Sequence, residues 1–449
     1  MIKLYNTANR KIENFKPISD VVKIYTCGPT VYSEAHIGNL TAYIYWDLLV
    51  RTLKLNDFKV KRVLNLTDVG HLVSDADEGE DKLEKGARKD GKTVWEVAEK
   101  YIEKFKDDYR SLNLTEPEIW ARATDFIEED KNAVDKMTAG GFTYETADGI
   151  YYDTAKFPQY ADFARLDLEG LRAGARVSFS DEKRNASDFA VWKFIQPGEK
   201  HEMRWDYLGR PGYPGWHLEC STIIDKELGE PIDIHTGGID HIPVHHTNEI
   251  AQTFAISGLE LAKYWLHCDF IMIEGEKISK SLGNVYSLDD LSARGFSAID
   301  FKMWVLSGHY QGARNFTFES LEAAKHRRLN WRNRIASLYQ STMPTSPIHD
   351  VFNKILSAVN DNLNSSEAFA IIDTHELAME DWEKVDELFG LNLITNTPDV
   401  SEETYALISE REKARAEKNY ARSDEIRNKL KAQGIAIEDT PNGPVWQYI

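Results

Sequence analysis

The sequence predicts an α/β protein: a parallel sheet assembled in two halves around an inserted subdomain, with a helical region behind it. One local pattern occurring twice carries that prediction, and a change of pattern after about Phe318 completes it. In the first occurrence KIYTC (Lys23 to Cys27) reads as a short strand, GPT as a turn, and the stretch opening near His36 as a helix. Ile37, Leu40, Ile44, Leu48 and Leu55 recur at helical spacing, which gives that helix one apolar face. KVKRVLNLTD (Lys59 to Asp68) follows as a second strand. Strand, turn, helix and strand in this order form a βαβ unit, and such units build parallel sheets whose ligands lie outside the carboxyl ends of the strands. In the second occurrence PIDIHT (Pro231 to Thr236) is a strand, Gly237 and Gly238 a tight turn, and His245 to Ile256 a helix.

Two such halves frame one nucleotide site and make the expected sheet Rossmann-type. Between them, residues 114–204 contain a hairpin signal, FTYE and IYYD around Asp148 and Gly149, and read as an inserted subdomain. After Phe318 helix formers dominate, broken at STMPTSPI (Ser341 to Ile348) and NLITNTPD (Asn392 to Asp399). The segment Glu402 to Gly434 reads as helical, with Gly434 as its stop and a short tail reaching Trp446. The expected division is therefore 1–113 and 205–270 for the halves of the sheet domain, 114–204 for the insertion, 271–318 for a connecting region, 319–395 for a helical bundle and 396–449 for a C-terminal module.

The length of 449 residues suits about three domains. With 54 Lys and Arg against 73 Asp and Glu, the net charge of −19 excludes a uniformly basic surface that would grip any nucleic acid. Basic charge is local: Arg411 to Lys431 holds eight basic and four acidic residues, and Leu321 to Arg334 five basic residues with Glu322 alone opposing them. The cysteines Cys27, Cys220 and Cys268 are too few and too far apart for a disulfide framework and point to a reducing compartment. No run of 18 apolar residues occurs, and MIKLYNTANRKIENF lacks the apolar stretch of a signal peptide, so a cytoplasmic chain is expected.

Two short motifs carry chemistry. His36-Ile37-Gly38-Asn39 sits where a helix follows a strand, and a helix N-terminus stabilises phosphate through its N–H groups and dipole. Lys277-Ile278-Ser279-Lys280-Ser281 places two lysines three apart with two hydroxyls, which suits a loop that neutralises a triphosphate and its departing pyrophosphate. Taken singly, a polar helix start and a solvated charged turn explain them equally well. Cys27, Cys220, His245 and Glu249 would offer two thiolates, an imidazole and a carboxylate, the last two four apart on one helix face, although no CxxC-type spacing marks them. His246 competes for the imidazole role, but one helical step puts it on a different face from Glu249.

HIGN followed much later by KISKS resembles the two signatures of class I aminoacyl-tRNA synthetases. The stretches YTCGPTVYSEAHIGN (Tyr25 to Asn39), GWHLECS (Gly215 to Ser221), HHTNEIAQ (His245 to Gln252), KISKSLGN and LSGHYQ (Leu306 to Gln311) together resemble the cysteinyl-tRNA synthetase family, in its order and over nearly the whole chain. Asn39 stands where many class I enzymes carry a second histidine; its amide still donates to phosphate but cannot become cationic.

The resemblance implies a cysteine–tRNA ligase, whose partners are ATP, L-cysteine and tRNA(Cys), and a monomer. It implies one Zn²⁺ on Cys27, Cys220, His245 and Glu249, which selects cysteine over serine through its sulfur, and Mg²⁺ with ATP. It assigns His36, Asn39, Lys277 and Lys280 to catalysis on the phosphates, with Gly38, Gly237, Gly238 and Asp240 beside ATP. Thr67 and Trp216 fall at the cysteine pocket. It makes the C-terminal module an anticodon-binding one, with Arg415, Asp424, Arg427, Asp439 and Trp446 as the reading residues. The expected alternatives are joining of cysteine to a small amine, which needs no C-terminal module, and an RNA-binding protein with an inactive site.

Overall fold

A computed structural model describes residues 1–69, 82–166, 182–199, 201–279, 282–340, 349–440 and 443–449. The expected break at 341–348 lies outside them, as do Lys280 and Ser281.

Five parallel strands form the central sheet: β1 (Val21–Thr26), β2 (Lys59–Leu66), β3 (Ile119–Arg122), β4 (Ile232–Gly238) and β5 (Ala262–Cys268), in the order β3-β2-β1-β4-β5. The winding direction reverses between β1 and β4, which creates the crevice where such sheets take ligands. Strand alternation sends Ile24, Leu64 and Leu266 into one core and Tyr25, Val63 and Trp265 into the other, so both faces are covered. The first crossover helix, α1 (Ile37–Leu55), buries Ile37, Leu40, Ile44 and Leu48 as its spacing predicts.

The far half of α1 is anchored to the bundle by a buried polar cluster. Asp47 accepts from Arg51 Nε at 2.7 Å, Lys302 Nζ at 2.9 Å and the Thr115 N–H at 2.8 Å. Arg51 also donates to the carbonyls of Asn113 and Glu387, both at 2.8 Å. Burial would raise the Asp47 carboxyl, but the two cations hold it well below the usual carboxylate range. Lys302 is brought down to about 8 by burial, against the pull of Asp47.

The inserted subdomain is a five-stranded antiparallel sheet with its own core around Tyr152, Val191 and Trp192. The predicted hairpin is present, with Thr143 opposite Tyr152. Its limits differ from 114–204: Ile119–Arg122 pairs with β2 in the parallel sheet, and the antiparallel sheet continues through Arg210–Pro214. Four residues of strand carry too little pattern to be told from a loop.

Behind the sheet, Phe318–Tyr339, His349–Asn360, Ser365–Thr374 and Met379–Phe389 make the helical bundle. The bases of Leu321 to Arg334 are mostly used inside it: Arg327 pairs with Asp373 at 2.7 Å, Arg328 with Asp300 at 2.8 Å, and Arg334 donates to the Ile372 carbonyl at 2.7 Å. The segment expected to be helical from Glu402 holds two helices, Glu402–Ala416 and Tyr420–Ala432. Lys418 takes a left-handed φ of 60°, and the Asn419 side chain caps the second helix. Gly434 ends it at φ 79°, as expected, and the short tail is a β-hairpin, Ile435–Thr440 against Gly443–Tyr448. Among the described residues no helix is long and apolar enough to cross a membrane.

Candidate active site and metal centre

The HIGN motif begins α1 as a reciprocal cap. The His36 N–H donates to Asn39 Oδ1 at 3.2 Å, and the Asn39 N–H donates to His36 Nδ1 at 3.3 Å. The Ile37 N–H is also taken, by the Tyr286 carbonyl at 2.8 Å. A Cβ built on Gly38 would lie 2.5 Å from Ile278 Cδ1 and 2.9 Å from the His36 ring, so the KISKS segment lies directly against this helix start. The two motifs thus meet in space. Exposed Lys277 ends a two-residue strand, and Asn284 clamps the loop by accepting from the Ser279 N–H at 2.8 Å and donating to the Lys277 carbonyl at 3.1 Å.

At the ends of β1 and β2 the backbones approach so closely that a Cβ on Gly28 would overlap the Asn65 carbonyl. Asn65 accepts from the Gly28 N–H at 2.6 Å and donates to Thr67 Oγ1 at 3.0 Å. Thr67 in turn donates to Glu219. Across the crevice, a Cβ on Gly237 would come within 2.7 Å of the His246 ring and 2.8 Å of His241 Nδ1. Asp240 follows on an exposed turn.

The four ligand candidates come together, buried, with their donor atoms within 4.8 Å of one another. Cys27 lies just beyond β1, Cys220 on the helix α2 (Leu218–Glu227), and Glu249 on the helix α3 (Thr247–Ser257). The structure also brings in residues the sequence reading missed. Cys27, His235, His246 and Glu249 form a second, overlapping set. The expectation that His246 faces away from Glu249 by one helical step fails, because Ile242–His246 is a π-type turn, and a wider turn does not follow the 100° step of an α-helix. His245 Nε2 lies 3.5 Å from Cys220 Sγ, and His246 Nε2 lies 3.3 Å from Cys27 Sγ.

Each ring has a partner behind it. His245 Nδ1 meets His217 Nδ1 at 2.9 Å; His246 Nδ1 meets His267 Nε2 at 2.7 Å, and His267 Nδ1 meets Thr7 Oγ1 at 2.8 Å. Such backing fixes ring orientation in metal sites. Trp216 lies at the mouth, its ring 5.4 Å from that of His245.

The electrostatics fit a cation. Glu249 lies 2.7 Å from His235 Nε2 and 2.8 Å from His245 Nε2, yet both its oxygens and His235 Nε2 lack a hydrogen-bonded partner. Buried polar atoms crowded together without hydrogen bonding one another are what a shared ion would satisfy. Burial would raise the Cys27 thiol, but Cys220 and the surrounding imidazoles hold it well below the usual thiol range. Burial and the neighbouring Cys27 push Cys220 well above it. Burial would also raise Glu249, which His235 and His245 hold well below the usual range. Burial, with His235 nearby, brings His246 down to about 4.

In the C-terminal module, Asp439 accepts two 2.8 Å bonds from Arg411 and also faces Arg415 and Arg427. Arg415, Asp424 and Arg427 are exposed. Trp446 is not presented to solvent: it is 2% exposed, packed in a small core with Ile426 and Leu430, and its backbone exchanges two 2.9 Å bonds with the side chain of Gln340. The aromatic ring that this module does present is Tyr420, 63% exposed at the start of the last helix.

Residues 14–326 match the family model described as tRNA synthetases class I (C) catalytic domain, and residues 397–448 match that of the cysteinyl-tRNA ligase anticodon binding domain. The chain is 43% identical to cysteine–tRNA ligase 1 of Burkholderia lata, over 98% of this chain and 96% of that one. It is 38% identical to cysteine–tRNA ligase of Treponema denticola over all of both chains. In fold it is similar to Mycobacterium tuberculosis methionyl-tRNA synthetase in complex with methionyl-adenylate, with a TM-score of 0.56 at 15% identity over 88% of this chain and 84% of that one. A Rossmann-type sheet with a buried Cys, His and Glu cluster at its crevice, two family models in tandem and relatives matched end to end agree: the chain belongs to the cysteine–tRNA ligase family of class I synthetases.

Proposed function

We propose that this chain activates L-cysteine with ATP and transfers it to the 3′ end of tRNA(Cys). The observation that carries the reading is the buried set of Cys27, Cys220, His245 and Glu249 at the sheet crevice, in a chain whose relatives of that name match it end to end. In the first step a cysteine carboxylate oxygen attacks the α-phosphorus of ATP, the bond to the β-phosphate breaks and pyrophosphate leaves. In the second, a terminal ribose hydroxyl of tRNA attacks the adenylate carbonyl and AMP leaves. Catalysis by this chain is positioning and charge stabilisation.

His36 and Asn39 contact the phosphates by exchanging their mutual cap bonds for bonds to phosphate oxygens. Gly38 keeps the helix start open, and Lys277 and Lys280 hold the β- and γ-phosphates together with the Mg²⁺ that arrives with ATP. Gly237 and Gly238 admit adenosine close to the backbone, and Asp240 accepts from a ribose hydroxyl. Thr67 and Trp216 line the amino-acid pocket. Cys27, Cys220, His245 and Glu249 would hold zinc, which would supply a Lewis acid that prefers a thiolate to a neutral hydroxyl and so would separate cysteine from serine. Arg415, Asp424 and Arg427, ordered around Asp439, read anticodon base edges, and Tyr420 offers the stacking surface that buried Trp446 does not.

Cysteine-dependent exchange of pyrophosphate into ATP, with serine as control, tests the first step, and charging of tRNA(Cys) tests the second. Exchange without charging transfers the reading to the joining of cysteine to a small amine. Absence of both leaves an RNA-binding protein with an inactive site.

A further inference from the structure

Lys104 lies on the helix Val94–Ser111, outside both signature motifs, and three carboxylates converge on its ammonium. Its Nζ is 2.9 Å from Asp108 on the same helix, 3.0 Å from Asp289 and 3.3 Å from Glu34. Among the described residues it is the one basic partner of each. Burial would lower this ammonium, but the three carboxylates hold it well above the usual lysine range. Asp108 is buried, and burial lifts its carboxyl to about 6 against the pull of Lys104. A lysine four residues ahead of an aspartate is the less favourable order on a helix, so the local pair alone gives little reason for this lysine.

The other two acids come from the flanks of the two signatures. Glu34 stands two residues before His36. Asp289 is on the first turn of the short helix Leu288–Ala293 that follows the KISKS segment. Its neighbour Asp290 is spent on capping that helix, accepting from the Ser287 N–H at 2.8 Å, whereas Asp289 pairs with Lys104. Just before the cap, the Tyr286 carbonyl takes the Ile37 N–H at 2.8 Å. The stretch from Lys277 to Asp289 is thus joined to the HIGN start by the Ile278 contact at Gly38, by one main-chain bond and by the ion bridge. Only the bridge is made by a side chain from a third element. A triphosphate that spans two segments is held only as well as their separation matches it. We propose that Lys104 is a positioning residue for ATP: by pairing Glu34 with Asp289 it fixes the KISKS segment against the start of the HIGN helix, so that both signatures meet one triphosphate. This rests on the reading of the two signatures as the ATP site.

The test compares two ligands that share adenosine, α,β-methylene-ATP and adenosine itself, the second lacking the phosphates that both signatures would contact. Binding of each to the full-length protein is measured calorimetrically for the wild type, Lys104→Met, Lys104→Arg and Asp289→Asn, with urea stability determined for each. Lys104→Met is expected to weaken the triphosphate analogue about tenfold and to leave adenosine within about twofold. Asp289→Asn cuts the bridge on the KISKS side alone, and Asp108 keeps its cation. It should weaken the analogue by about threefold with stability unchanged, because that arm of the bridge is exposed. Lys104→Arg should stay within about twofold of wild type for both ligands. Once Lys104 is gone, adding Asp289→Asn should cost the analogue nothing more, since the two act through one interaction. In pyrophosphate exchange the loss should fall on KM for ATP, with KM for cysteine kept. Equal weakening of both ligands, unchanged analogue affinity in Asp289→Asn, or additive losses in the double variant would overturn the assignment. Should Lys104→Met fail to fold, Asp289→Asn decides the matter. Wild-type protein that does not bind the analogue, or a Lys277→Ala variant that binds it as tightly as wild type, would count against the ATP reading of the signatures themselves, a result distinct from any effect at Lys104.

Discussion

Among the described residues, the buried charges around Asp47 and those around Glu249 form two separate clusters, and only the first is complete in itself. Asp47, Arg51 and Lys302 satisfy one another and the carbonyls around them with bonds of 2.7 to 2.9 Å. Glu249, His235 and His245 are equally close but make no hydrogen bonds among themselves, and the His245 ring is held from behind by His217. Burial alone therefore does not distinguish a structural cluster from a functional one. The hydrogen-bond count does: a closed network locks elements together, and an open one waits for an ion or a substrate.

The sharpest way to break this contrast is Cys220→Ser. A hard alcohol in place of a thiolate is expected to lose most of about one zinc per chain and nearly all cysteine-dependent exchange, read by metal analysis and isotope exchange. Full zinc occupancy in that variant would place the ion elsewhere. Lys302→Met is the counterpart: removing one of the two cations that pair with buried Asp47, and leaving Arg51 alone, should lower stability by about 3 kcal/mol in urea titrations with zinc content unchanged. Adding Asp47→Asn to it should recover part of the loss. Zinc release from Lys302→Met would show that the clusters are one system.

The same distinction applies at the C-terminus. Trp446→Ala is expected to destabilise the module by about 3–5 kcal/mol, as for other buried tryptophans. Tyr420→Ala should instead weaken tRNA charging by about tenfold at limiting tRNA and leave pyrophosphate exchange intact, since one stacked base is worth about 1–3 kcal/mol. A reversed pattern would return the stacking role to Trp446.

A smaller effect follows from pH. The Asp47 carboxyl is lowered in the folded state, so its contribution is complete above the unfolded value near 4 and disappears as pH falls through the folded one. Urea titrations at about pH 5 and pH 3 should show a steeper acid loss for wild type than for the Asp47→Asn, Lys302→Met pair. The smallest change is expected of Arg327→Ala, about 1 kcal/mol or less in stability and no shift in KM for tRNA, because its charge is spent on Asp373 inside the bundle.

What could be read from the sequence followed periodicity. The face of α1, the strands flanking it and the hairpin at Asp148 repeat at 3.6 or 2 residues over enough length to be recognised. His246 was misread because face arithmetic assumes an α-helix and Ile242–His246 is not one. Trp446 reads as an exposed aromatic among arginines, but in the hairpin it stands opposite Ile437 with its ring turned into the core. Basic runs look alike in composition, and only the tertiary contacts show Arg327, Arg328 and Arg334 occupied within the bundle while Arg415 and Arg427 stay exposed. Glu219 gave no signal, since its link to Thr67 joins segments distant in sequence.

The helix Phe318–Tyr339 is tied at one end to the domain that holds the ATP signatures, where Trp304 Nε1 donates to Ser320 Oγ at 2.8 Å. Just past its other end Gln340 grips the terminal hairpin. At 1.5 Å per residue its 22 residues make a ruler of about 33 Å. One residue inserted at its solvent-facing middle would lengthen the ruler by only about 1.5 Å but swing the hairpin module through roughly 100°, whereas four residues would lengthen it by about 6 Å and nearly restore the heading. Phase, more than length, is what this helix sets between the sheet domain and the terminal hairpin.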